Sequence, residues 1–92
     1  MSNIDWSQLI TGESKAAEAA QALVARQSEA ENTWRTEEMD FIADQLIAIE
    51  DGDPSALSGT EREWRDYRIE VRAWKSGALH FPDFTERPVR PA

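Results

Sequence analysis

Between Gly12 and Gly52 the chain contains neither glycine nor proline. Nothing over that span demands a left-handed residue or removes a backbone donor, so one uninterrupted helix is permitted. The later breaks crowd into the second half: Gly52, Pro54, Gly59, Gly77, Pro82, Pro88 and Pro91. Within the open span, Ser14 to Ala30 is rich in Ala, Glu and Gln, which are strong helix formers. The pattern predicts an all-α chain with a long Ala-rich helix over 12–50, following an N-terminal segment 1–11. Whether 12–32 and 34–50 form one helix or two is left open. A connector over 51–60, a helix over 61–76 and an extended tail over 77–92 complete one small domain, the size that 92 residues can support.

Heptads counted from Ala16 place Ala16, Ala20, Leu23, Gln27, Ala30, Trp34 and Phe41 on one seam, interrupted by Glu37 and Asp44. Alanines bury little, so this half of the helix needs a partner, from a second copy or another protein. Leu23, Ala30 and Trp34 are candidate contacts. Thr36-Glu37-Glu38 has the composition of a helical first turn, with acids near the positive end of the dipole, and is where a second helix or a kink would begin if the span is divided. Beyond it Met39, Ile42, Leu46 and Ile49 form a denser stripe of core positions. Gly52 suits the left-handed position that ends a helix, and Pro54 cannot continue one.

Thr60-Glu61-Arg62-Glu63 is a capping box that opens the next helix. Trp64, Tyr67, Val71 and Trp74 follow at the 3-4-3 spacing of one buried face. Glu61 and Arg65 pair four residues apart, and Gly77 is the expected end. Arg68 and Arg72, one turn apart, are placed to bond carboxylates of a partner or of the acidic second half of the long helix, the intramolecular pairing being the expected one.

Chemistry is narrowed by what the composition lacks. Without cysteine there is no disulfide, thiolate metal site or thiol catalysis. The net charge of −8 opposes nucleic-acid binding. No apolar run approaches the length of a membrane span, and Met1 to Trp6 has no signal-peptide character. Asp51, Asp53 and Ser55 invite a calcium-loop reading, but Ala56 stands where that loop needs Gly and Arg62 where it needs Glu. His80 is the sole imidazole and lies in the tail with no second metal-binding side chain of its kind. No catalytic set and no cofactor site is expected.

Charge is unevenly distributed. Eleven acids oppose two bases between Glu29 and Glu63, while six bases oppose four acids from Trp64 onward. Such asymmetry lets a chain fold back on itself or orient a partner. Four tryptophans are more than so small a core requires, and Trp is enriched at binding hot spots. Trp6 is therefore a candidate interface residue. Leu79, Phe81 and Phe84, with Pro82 among them, read either as an arm that docks into another protein or as a tail that folds over this domain.

Several segments together resemble a known family. They are Asp5-Trp6-Ser7-Gln8 before an Ala-rich helix, Trp34-Arg35, Glu50-Asp51-Gly52-Asp53-Pro54, Arg87-Pro88-Val89-Arg90-Pro91 and, most specifically, Trp64-x-x-Tyr67-Arg68-x-x-x-Arg72-x-Trp74 followed by Phe81-Pro82. In this order they resemble the tail-fibre assembly proteins and tail assembly chaperones of tailed bacteriophages. The larger N-terminal domain that members often carry is missing from this sequence. The resemblance implies a non-enzymatic chaperone in the host bacterial cytoplasm that binds a tail fibre or other tail protein and assists its folding, trimerisation or attachment. Self-association through the N-terminal helix is expected alongside. Alternatives are a structural part of the virion fibre or baseplate, and a small acidic regulator of a host protein.

Overall fold

A computed structural model describes the chain from residue 6 and its side chains from residue 15. Two helices, α1 (Trp6–Asp51) and α2 (Glu61–Ala73), form an antiparallel hairpin, and a tail from Trp74 to Ala92 runs back beside it. Among the described residues there is no strand. The molecule is 79 Å long and 18 by 15 Å across, because α1 alone spans about 69 Å at 1.5 Å per residue. Among the described side chains of α1, those from Lys15 to Gln27 are exposed and burial begins beyond them.

The 12–32 and 34–50 segments are one helix, and it already begins at Trp6. Of the two alternatives left open, the continuous helix is the one formed, with no break at Thr36-Glu37-Glu38. The Thr36 hydroxyl donates to the Asn32 carbonyl one turn back instead of capping a new helix. Arg35 meanwhile donates to Asn32 and to the Trp74 carbonyl at the end of α2, fastening the continuous helix there. At the far end Gly52, at φ 69, donates to Ile49, and Asp53 donates to Ala48. This is the Schellman pattern that satisfies the last carbonyls.

The capping box is formed as expected: Glu63 N–H donates to the Thr60 hydroxyl, and Thr60 N–H donates to the Glu63 carboxylate. Helix α2 stops at Ala73, short of the expected Ser76, with Trp74 closing it by a bond to Val71. Gly77 lies in the following turn, at φ 96, and is not the cap. The core is Ile42 from α1 with Trp64, Tyr67, Val71 and Trp74 from α2 and its cap. Leu46 and Ile49 are partly buried against it, as are Trp34, Met39 and Phe41. Trp64 packs against Phe41 at 6.0 Å and edge-on to Tyr67 at 5.8 Å.

The connector is held by Gly59, whose φ of 116 favours glycine and whose missing side chain leaves room for its neighbours. A Cβ there would stand 2.8 Å from Pro91 and 2.9 Å from the Trp64 indole nitrogen.

Candidate interaction surfaces

The C-terminal tail and α1 meet through two repeated junctions. Glu31 and Glu38, seven residues apart, are almost fully buried, at 2% and 4% exposure. A buried carboxylate is tolerated only when its lone pairs are met. Here each receives one donor from α2 or its cap and two from an arginine of the tail. Trp74 Nε1 donates to Glu31, and Arg87 adds Nε and Nη2 at 2.6 Å each. Tyr67 Oη donates to Glu38, and Arg90 adds Nε and Nη2 at 2.7 Å each. Each guanidinium also lies over an aromatic ring one turn along α1, Arg87 over Trp34 at 4.8 Å and Arg90 over Phe41 at 4.0 Å.

Geometry explains the match. Seven helical residues advance about 10.5 Å, while three residues of polyproline chain advance about 9.3 Å. Arg87 is followed by Pro88 and has φ −58 and ψ 147, the polyproline region. Two arginines three apart in the tail therefore meet two glutamates seven apart on the helix. The arginine bonds, working against desolvation, hold both carboxyls below the usual glutamate range, with help from Trp74 and Tyr67 respectively. Burial, with the Glu38 acceptor adding to it, raises the Tyr67 phenol.

These junctions revise several expectations. Intramolecular pairing with the acidic helix is made by Arg87 and Arg90. Arg68, half-buried, and Arg72, exposed, make no ion pair among the described residues. Trp34 is occupied by Arg87, and Phe81 packs edge-on against Trp74 at 5.3 Å, so both serve the chain's own clasp. Of the two readings of the tail, it folds over its own helices. Glu31, Glu38, Arg87 and Arg90 were missed as a set because each alone is an ordinary surface charge. Their signal was the shared seven-residue repeat of Glu31-x-x-Trp34 and Glu38-x-x-Phe41 facing a basic repeat interrupted by proline.

Other candidates stand open. Leu79 at 81% and Phe84 at 67% exposure project from the loop between Trp74 and Arg87. Side chains from Lys15 to Gln27 are all exposed, Leu23 by 48% and Val24 by 49%, and Ala30 is exposed as well. Ala20, Val24 and Ala25 are among these exposed apolar residues. The side chain of Trp6 lies outside the described residues.

Elsewhere the chemistry is structural. Asp53 accepts from the Ser55 backbone and hydroxyl, forming a turn. His80 takes φ 67 in a turn closed by the Asp83 N–H. Among the described residues no cluster of metal-binding side chains forms and no helix is long and apolar enough to cross a membrane. No family model, curated protein or solved structure matches the chain.

Proposed function

We propose that this protein is a non-catalytic assembly helper of the phage tail-fibre kind, which binds a tail fibre or other tail protein through the outstretched half of α1. One observation carries the reading: among the described residues nothing covers the helix from Lys15 to Gln27, although Leu23, Val24 and a series of alanines give it an apolar side. Such a helix is marginal alone in water. Here it continues a helix already nucleated and packed, so it is held in place without being buried.

The folded part then acts as a handle. Trp64, Tyr67, Trp74 and Phe81, which carry the family resemblance, build the clasp. The arm offers a surface that a partner helix completes by helix-in-groove packing. High acidity keeps a binder of apolar segments dispersed and away from nucleic acid.

Co-expression with the neighbouring tail-fibre gene product tests this reading. Soluble, trimeric fibre should depend on the presence of this chain and should decline when Leu23 is replaced by Glu. Fibre yield and oligomeric state indifferent to the chain contradict it. Retention of the chain in purified particles, scored by mass spectrometry, would instead assign it to the virion.

A further inference from the structure

A two-helix hairpin has two flanks, and the tail closes only one of them. On that side α1 presents Trp34 and Phe41, while Val89 and Pro91 of the tail share a shallow cleft with Glu63, Asp66 and Glu70 of α2. At about 100° per residue, the opposite flank of α1 carries Met39 and Leu46. The opposite flank of α2 carries Arg68 and Arg72, with the paired Glu61 and Arg65 beside them. Met39, Leu46 and Arg68 are half-buried there and Arg72 is exposed.

Five of the chain's ten bases are engaged within it. Arg62 pairs with Asp66, Arg65 with Glu61, Arg87 with Glu31 and Arg90 with Glu38. Arg35 is engaged by Asn32 and the Trp74 carbonyl. Among the described residues Arg68 and Arg72 on this flank have no ion-pair partner, nor do Lys15, Arg26 and Lys75 elsewhere, in a protein with 18 acids to 10 bases.

We propose that this open flank docks an acidic amphipathic helix of a partner protein, whose apolar stripe covers Met39 and Leu46 and whose carboxylates meet Arg68 and Arg72. The inference rests on the partner-binding reading above and names the chemistry of the partner.

A second copy is a poorer occupant. Its own acidic stripe, Glu37, Asp40 and Asp44, lies on the outer side of α1, turned away from the hairpin, so each contact would leave another flank open and build an unclosed chain. That stripe also offers Ile47 as its one large apolar residue, too little to cover Met39 and Leu46.

The test uses the full chain and a fluorescein-labelled helical peptide of three heptads, with leucine at a and d and glutamate at e and g. Fluorescence anisotropy should show this peptide binding about tenfold or more tightly than its twin with lysine at e and g, and the preference should shrink as salt rises. The Arg68→Glu/Arg72→Glu double variant should lose about tenfold in affinity while its circular dichroism melt stays in place, because neither residue belongs to the core. Equal binding of the two peptides, or a double variant that binds like the parent, overturns the proposal. So does concentration-dependent self-association, seen by sedimentation equilibrium, that the double variant abolishes, since the occupant is then a second copy. Failure here leaves the α1 arm standing, whereas failure of Leu23→Glu to affect the fibre leaves this measurement unaffected.

Discussion

Glu31 and Glu38 stand two turns apart on α1 and close two equivalent junctions, each joining one indole or phenol of the α2 side to one arginine of the tail. Three segments distant in sequence are thereby tied at two points. The tail is a third layer of the fold.

Breaking one junction should loosen the whole clasp. Removing one member of a fully buried ion pair costs about 3–5 kcal/mol, but the Arg87 side chain keeps 31% of its exposure, which screens it. Arg87→Ala should therefore lower unfolding stability by about 2 kcal/mol. Glu31→Ala should cost more, because it also strands the Trp74 indole and opens space beneath Trp34. Urea titration followed by Trp fluorescence measures both, and a Glu31→Ala loss smaller than that of Arg87→Ala contradicts the ordering.

Acid should release the tail. Both glutamates titrate lower in the folded chain than unfolded, so the stability they contribute is complete above the ordinary value near 4.5 and is lost as pH falls through the depressed folded values. Thermal melts should stay level from neutrality down to about pH 5 and then drop. In the Glu31→Gln/Glu38→Gln double variant that acid-dependent drop should be much smaller. An equally steep drop in the double variant would assign the acid response to other carboxylates.

Gly59→Ala should be disruptive for a residue in a connector. Alanine would be strained at φ 116 and would press into Pro91 and the Trp64 ring. A loss of about 1–3 kcal/mol is expected, with the tail's contacts near Pro91 loosened first. A melt within about 0.5 kcal/mol of the parent contradicts the close approach.

Thr60→Ala removes one half of the capping box and should cost about 1 kcal/mol. Thr60→Ser should be nearly neutral, since the hydroxyl is what Glu63 N–H needs. Equal losses in the two variants would mean that the hydroxyl is not the source of the effect.

The helices were legible because local signals agreed. The glycine- and proline-free span, the Thr60 capping box and the 3-4-3 stripe of Trp64, Tyr67, Val71 and Trp74 each name their structure without reference to distant residues. Whether a break falls at Thr36 stayed open because Thr-Glu-Glu has the same composition at a first turn as within a helix. The Asn32 carbonyl and the docking of Arg35 on α2, both outside that local pattern, decide between them. The Glu–Arg clasp was illegible for a related reason. A charged side chain is solvated by default, and only tertiary placement of the tail buries Glu31 and Glu38. Arg68 and Arg72 were the more conspicuous pair, standing on a well-marked helix, yet the prolines beside Arg87 and Arg90 are what set the spacing that fits.

Amide hydrogen exchange across α1, recorded for the isolated chain and for its complex with the co-expressed tail-fibre polypeptide, tests the central claim most directly. Exchange from residues 15 to 27 should be fast in the isolated chain while 31–51 and 61–73 stay protected, and the arm should gain protection in the complex. An arm already as protected as the hairpin when alone, or one whose exchange is unchanged by the fibre protein, would contradict the account.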